Sequence, residues 1–228
     1  MKGRALADSL ASHTEGKADS TKVKYYINAA RIYSNFNYDT AIMYFNCGLQ
    51  IAEAAGWKRG IGLCNEGLGV QHRLKAEYPE ALDYFFKAMK YYEEMNWRAG
   101  RIVLYAQIST VFQYENKIEY GLKYERMSLA LSAEDHDYSS VAGELDDIGI
   151  LYWRKNNYDS ALAYCFMSLH ILDSLKESEP AARVYGNIGM IYGEANNYSK
   201  ALEFEFRSLY FYRGKSDARW STSIRYEI

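Results

Sequence analysis

The sequence has few of the residues that end helices or cross-link small folds. Only two prolines, Pro79 and Pro180, occur in 228 residues, so long uninterrupted helices are compatible with almost the whole chain. The three cysteines, Cys47, Cys64 and Cys165, are odd in number and widely spaced. We therefore predict three unpaired thiols rather than a disulfide framework or a cysteine zinc site.

Signals for membranes and nucleic acids are also missing. No apolar stretch reaches 18 residues, and residues 1–20 lack the apolar core of a signal peptide. No run of Lys or Arg exceeds two residues, and the formal net charge is −2. We therefore expect no nucleic-acid partner and no direct contact of this chain with a membrane.

Motifs for catalysis and cofactor binding are not found either. The sequence contains no P-loop, dinucleotide fingerprint, nucleophile elbow or kinase motif. Its four histidines, His13, His72, His136 and His170, are scattered, and none has a partner at metal-ligand spacing. We expect no enzyme activity, no cofactor and no bound metal.

An internal repeat dominates what the sequence does contain. Hydrophobic residues make up 49% of the chain, which is enough to bury a core. Five segments align at a spacing of 40 residues. Each has a small residue with an aromatic residue three positions later; the small residues are Ala41, Ala81, Gly121, Ala161 and Ala201, and the aromatic ones Tyr44, Tyr84, Tyr124, Tyr164 and Phe204.

A second small residue precedes each of these segments. It stands 12 positions upstream in four repeats and 11 in the first, at Ala30, Gly69, Ser109, Gly149 and Gly189. Small residues let two antiparallel helices approach closely, so each repeat is predicted to be a helix-turn-helix hairpin. The shorter spacing in the first repeat predicts that its turn, around residues 34–37, has lost one residue.

The apolar pattern and the turn residues predict ten helices in the five repeats. The first helices are expected near residues 22–34, 61–75, 101–114, 140–154 and 181–194. The second helices are expected near residues 38–55, 78–95, 118–133, 158–175 and 198–212.

Two stretches carry a family resemblance. Residues 149–152 with 158–162, and residues 187–192 with 198–202, resemble the tetratricopeptide repeat signature in its variant with a 40-residue period. The resemblance covers residues 21–228. It implies an all-α, right-handed superhelical solenoid, an α-α superhelix whose first helices line a concave groove.

The same alignment predicts how the chain is divided. Residues 1–20 form an N-terminal capping segment with a helix at 2–11, and residues 21–214 form five repeats. The repeats are about 21–57, 58–97, 98–137, 138–177 and 178–214. Residues 215–228 form the first helix of a truncated sixth repeat. The chain is therefore expected to be part of a longer protein, with its exposed C-terminal end covered by a homodimer or another packing contact.

The first helices supply the candidate binding residues. Two positions before each small residue stands a mostly polar column, Asn28, Gly67, Gln107, Asp147 and Asn187. Side chains that donate and accept can pair with the backbone of an extended peptide, and tetratricopeptide arrays use such amides in this way. The predicted groove residues are the four polar members of this column with Arg31, Arg73, Gln113, Trp153, Arg154 and Arg183. Trp and Arg are frequent binding hot spots.

These features favour a non-catalytic interaction module, or scaffold, that binds a peptide or partner protein segment in its groove, in signal transduction. An alternative is a sensory or dimerising region of a larger membrane-anchored histidine kinase or transcriptional regulator. Residues 18–23 resemble the start of such sensor regions in Bacteroidetes-type signalling proteins. A third is a cytoplasmic peptide-sensing regulator of transcription or of a phosphatase. The compartment would be periplasmic for the membrane sensor and cytoplasmic otherwise.

Overall fold

A computed structural model of the chain describes residues 19–214, which form ten α-helices and no strand. The helices are α1 Asp19–Tyr33, α2 Tyr38–Ala54, α3 Lys58–Leu74, α4 Tyr78–Glu94, α5 Arg98–Tyr114, α6 Ile118–Glu134, α7 Tyr138–Arg154, α8 Tyr158–Leu175, α9 Ser178–Glu194 and α10 Tyr198–Gly214. The predicted capping helix at 2–11 and the predicted segment 215–228 lie outside the described residues.

The ten helices confirm the predicted all-α repeat architecture. The second helices begin where the repeat places them, but the first helices after α1 begin two or three residues earlier than expected. Helix α3, for example, begins at Lys58 rather than near residue 61. Lys58 and Arg59 are exposed, so the first turn of this helix carries no apolar pattern by which a sequence could locate it.

Left-handed residues end the helices at a spacing of 20 residues. Positive φ angles occur at Gly56, Ala76, Asn96, Asn116, His136, Asn156, Lys176 and Asn196. The N–H of Asn156 donates to the Trp153 carbonyl at 2.7 Å, and the N–H of Asn157 donates to the Tyr152 carbonyl at 3.0 Å. These two bonds form a Schellman motif, which satisfies carbonyls at the end of α7 and turns the chain toward α8.

The turn between α1 and α2 differs from those of the later hairpins. Residues 34–37 separate Tyr33 from Tyr38, so this turn has four residues, whereas three residues, such as 75–77, separate the helices of a later hairpin. The prediction that this turn has lost a residue is therefore wrong. Helix α1 ends one residue earlier in its repeat than the later first helices do. It also ends without a left-handed residue, since none of residues 34–37 has a positive φ angle.

The helices divide into two compact units, Met1–Lys117 and Ile118–Ile228. In unit 1 the consecutive helices from α1 to α5 pack on one another, and α3 also contacts the other two first helices, α1 and α5. In unit 2 the consecutive helices from α6 to α10 pack on one another, and α7 also contacts α9. Within each unit the first helices are therefore neighbours.

The hairpin α7–α8 shows why small residues recur at a spacing of 12. A Cβ atom at Gly149 would lie 2.7 Å from the Cys165 sulfur and 3.1 Å from the Ala161 carbonyl oxygen. The rings of Tyr152 and Tyr164 stack beside this contact with centroids 5.4 Å apart. A small residue on each helix thus allows the close approach, and the aromatic pair fills the space next to it.

Candidate functional site

Polar side chains on the neighbouring first helices form the candidate site, which is described for each unit separately. We call Asn28, Arg31, Glu66, Arg73, Gln107 and Gln113 the first-helix set of unit 1. Asp146, Asp147, Trp153, Arg154, Arg183 and Asn187 form the first-helix set of unit 2. All but Glu66 and Asp146 are predicted groove residues.

The first-helix set of unit 1 contains polar atoms that the described part of the chain does not satisfy. Asn28 and Arg31 are exposed, and Arg73, Gln107 and Gln113 are half-buried. The Arg73 Nε and the Gln107 Oε1 atoms are buried, and neither has a hydrogen-bond partner among residues 19–212. A buried donor or acceptor without a partner costs about 1–3 kcal/mol. These two atoms are therefore favourable places for an incoming backbone or side-chain group.

A cavity of about 200 Å³ opens between α1 and α3 in unit 1. Its walls combine apolar and polar side chains from three helices: Arg31, Ser34, Phe45, Leu63, Glu66, Gly67, Val70 and Gln71. Gln71 is only 1% exposed, and its Oε1 atom has no partner in the described structure. The sequence analysis did not identify Gln71, although it lies one helical turn after Gly67, the one residue of the polar column without a side chain.

Glu66 and Arg31 place opposite charges at this cavity. Burial raises the pKa of Glu66, while a hydrogen bond from Tyr92 and the charge of Arg31 oppose that rise. The Tyr92 hydroxyl donates to Glu66 Oε2 at 2.6 Å. Tyr92 is fully buried, so this bond anchors one oxygen of the carboxylate to the core of unit 1.

A buried carboxylate organises the first-helix set of unit 2. Asp146 is fully buried, and both of its oxygens accept from Asn187 Nδ2 at 3.0 Å. Arg183 Nε lies 3.5 Å from Asp146 Oδ2, and the Cys165 sulfur lies 3.7 Å from Oδ1. Burial raises the pKa of Asp146, and the Asn187 bond, Arg183 and Cys165 partly compensate. This network joins α7, α8 and α9.

Asp147 stands next to this network and is half-buried. Burial, reinforced by the neighbouring charge of Asp146, raises the pKa of Asp147 to about 6, although Arg183 acts in the opposite direction. The ionised form of Asp147 is therefore disfavoured in the folded chain. A ligand group that donates a hydrogen bond or carries a positive charge would stabilise it.

The structure changes the expected exposure of the polar column. A column that lines a groove is expected to be exposed to solvent in the free chain, but Asn187 is only 8% exposed, and Gln107 and Asp147 are half-buried. Asn187 lies on α9 where this helix contacts α7, and its buried amide donates to both carboxylate oxygens of Asp146 on α7. Replacing Asn187 therefore leaves a buried carboxylate with fewer partners, so its expected cost exceeds that of an exposed position.

Trp153 and Arg154, two of the predicted groove residues, lie at the end of α7. The Trp153 indole N–H donates to Glu194 Oε2 at 2.7 Å, and Trp153 is half-buried, whereas Arg154 is exposed. Glu194 ends α9, so this bond links the ends of two first helices.

The described helices do not have the features of a membrane span or of a metal site. Within residues 19–214, no helix combines the length and hydropathy that crossing a bilayer requires. No group of three or more His, Cys, Asp and Glu side chains in this range is arranged to hold a metal ion. His72 has a structural environment, because its ring stacks on Tyr84 with centroids 5.1 Å apart and its Nδ1 lies 2.6 Å from Glu77 Oε2.

Comparisons with known proteins identify the fold. No protein-family model and no curated protein sequence matches the chain. Among solved structures, the chain is similar to BtubC (BKLC) from P. vanneervenii, with a TM-score of 0.80, 14% identity, and coverage of 96% of this chain and 91% of that chain.

The descriptions of two further similar structures name a bound factor or a peptide-binding site. A Rap protein complexed with Competence and Sporulation Factor matches with a TM-score of 0.77 and 14% identity, over 97% of this chain and 62% of that chain. YrrB, described as a TPR protein with an unusual peptide-binding site, matches with a TM-score of 0.54 and 20% identity, over 96% and 98%. The helix pairs and these structural neighbours show that the chain has an all-α repeat fold of the tetratricopeptide type.

Proposed function

We propose that this chain is a non-catalytic interaction module that binds an extended peptide or partner segment on its first-helix sets. The proposal is carried by two buried polar atoms on unit 1, Arg73 Nε and Gln107 Oε1, which have no hydrogen-bond partner among the described residues. An extended peptide backbone offers both a carbonyl acceptor for Arg73 and an N–H donor for Gln107. Binding would therefore remove two desolvation penalties that the free chain carries.

The fold neighbours support the same class of function. YrrB is described as having a peptide-binding site, and the Rap structure contains Competence and Sporulation Factor as its partner. We include a role in signal transduction in the proposal, because a module that captures a factor can transmit its presence. The first-helix set of unit 2 offers Asp147, Trp153 and Arg154 as contacts for a segment bound on that unit.

The experiment is a peptide selection followed by binding to matched variants. Peptides are selected from a random display library on the wild-type chain, and their affinities are measured by fluorescence anisotropy. Replacing Arg73 and Gln107 together, as Arg73→Met with Gln107→Leu, should raise the Kd of selected peptides at least about tenfold. The matched control is Lys90→Ala, an exposed position on the second helix α4, which should leave the Kd unchanged.

The stability of the double variant makes the result interpretable. Because neither side-chain atom has a partner among the described residues, apolar replacements should not lower the free energy of unfolding. Selected peptides that bind the double variant as tightly as the wild type would show that the first-helix set of unit 1 is not the binding site. Failure to select any peptide would refute the function itself.

A further inference from the structure

The polar column of the first helices has one position without a side chain, Gly67. A Cβ atom at Gly67 would lie 2.2 Å from Phe45 Cε1, so the Phe45 ring occupies the place where the other repeats carry a polar group. The 200 Å³ cavity of unit 1 lies directly beside this contact. The interruption of the column is therefore where the first-helix set of unit 1 becomes concave.

The size of the cavity suits one side-chain group. Pockets for drug-sized ligands measure about 300–1,000 Å³, and an apolar cavity of about 150 Å³ is enough to hold a benzene ring. At about 200 Å³, this cavity therefore admits one ring. Phe45, Leu63 and Val70 supply apolar walls, against which an aromatic face can pack.

One of the residues that line the cavity, Gln71, has an unsatisfied side-chain acceptor. Gln71 is 1% exposed, and its Oε1 atom lies among the described residues without a hydrogen-bond donor. The acceptor is already removed from water, so a donor that reaches it gains a bond without a further desolvation cost on the protein side. The ring that best fits the cavity therefore carries one O–H or N–H group.

The charges at the cavity favour neither a cation nor an anion. Arg31 and Glu66 both line it and carry opposite charges, so each attracts the ion that the other repels. The cavity therefore has no charge preference that would compete with the fit of a neutral ring. Ser34 adds no charge, and its hydroxyl already donates to the Ala30 carbonyl at 3.0 Å.

We propose that the cavity lined by Arg31, Phe45, Glu66 and Gln71 is an anchor site for a neutral aromatic ring with one hydrogen-bond donor, as in a tyrosine side chain. This proposal depends on the proposed function in one respect only: the ring would belong to the bound peptide. The ring packs against Phe45 and Val70, and its hydroxyl donates to Gln71 Oε1.

The test uses phenol and toluene, two probes of similar size that differ in the donor. Both are titrated into wild-type chain and into Gln71→Leu, and their Kd values are measured from amide chemical shifts in ¹H–¹⁵N NMR spectra. In the wild type the shifted amides should belong to residues around the cavity. The ratio of the toluene Kd to the phenol Kd should fall about tenfold in Gln71→Leu, because leucine removes the acceptor.

A matched variant and a third probe complete the design. Gln50→Leu changes an exposed glutamine on α2 of unit 1 that does not line the cavity, so it should keep the wild-type ratio. Anisole, in which a methyl group replaces the phenolic proton, should bind wild type no more tightly than toluene, and this measurement needs no variant. Absence of probe binding, shifts away from the cavity, or an unchanged ratio in Gln71→Leu would overturn the proposal.

The two proposals fail separately. If phenol binds with the expected dependence on Gln71 but no peptide can be selected, the cavity is an aromatic site and the peptide function is refuted. If peptides bind through Arg73 and Gln107 but phenol does not enter the cavity, the module stands and the anchor site is refuted.

Discussion

Replacing Gly149 with alanine tests the close approach of α7 and α8 that defines the hairpin. A methyl group at this position would lie 2.7 Å from the Cys165 sulfur and 3.1 Å from the Ala161 carbonyl oxygen. The sulfur belongs to a fully buried side chain, and the carbonyl belongs to a helix backbone that is itself packed. Neither atom can retreat without moving α8 away from α7.

The same helix contains a control, because a Cβ atom at Gly143 would meet nothing within 4 Å. Alanine is more favourable than glycine inside a helix by about 1 kcal/mol, so Gly143→Ala should stabilise the chain by about that amount. Gly149→Ala gains the same propensity but suffers overpacking of about 1–3 kcal/mol. We therefore expect it to lower the free energy of unfolding by up to about 2 kcal/mol, and to lie about 1–3 kcal/mol below Gly143→Ala.

Equilibrium urea unfolding followed by circular dichroism measures both variants against the wild type. The midpoints should move in opposite directions at a common slope, because the surface exposed on unfolding is nearly unchanged. If Gly149→Ala is as stable as Gly143→Ala, the two helices do not approach as closely as the structure places them, and the account of the small residues is wrong.

Three further outcomes are expected. Lys176 has a left-handed backbone with φ 58° and ψ 30°, a conformation that glycine adopts without steric cost. Lys176→Gly should therefore raise the free energy of unfolding by about 0.5–1 kcal/mol in the same urea assay. A decrease of the same size in the free energy of unfolding would contradict this. The pKa of Asp147 is raised by burial to about 6, above its unfolded value, so this group contributes a loss of stability as the pH rises from about 4 to 6. Asp147→Asn should therefore be more stable than the wild type at pH 7, by about 1–3 kcal/mol, and the difference should vanish near pH 4; a constant difference would refute the reasoning. Burial raises the pKa of Cys64 to about 12 and also raises that of Cys165, so a thiol reagent at pH 8 should label only Cys47 in the folded chain and all three cysteines after denaturation; rapid labelling of three thiols in the native chain would contradict their burial.

Much of the fold could be predicted from the sequence because repetition tests each inference several times. The spacing between Gly149 and Ala161 recurs in other repeats, so one helix-turn-helix unit explains all of them. Asn156 and Asn196 in the turns tolerate the left-handed conformation that ends these helices. The first turn of each first helix could not be located in the same way, because its exposed polar residues follow no apolar pattern.

The first-helix sets were predicted as positions but not as environments. Column spacing alone identifies Gln107 and Asp147 as equivalent residues on successive hairpins. It does not reveal that Gln107 Oε1 is buried without a hydrogen-bond partner in the described part of the chain, or that burial raises the pKa of Asp147. Both depend on which side chains of the neighbouring helices cover them.

The sequence by itself determined the repeat, the helix pairs and the residues that allow their close packing, since these depend on local periodicity and residue size. Only the tertiary structure decided that Asn187 is buried against Asp146, 41 residues away, and that Gly67 lies beside a cavity rather than under a continuous polar column. Such contacts join side chains from different helices. Their energies depend on the water that each group loses when the helices pack together, which a residue's own repeat position does not specify.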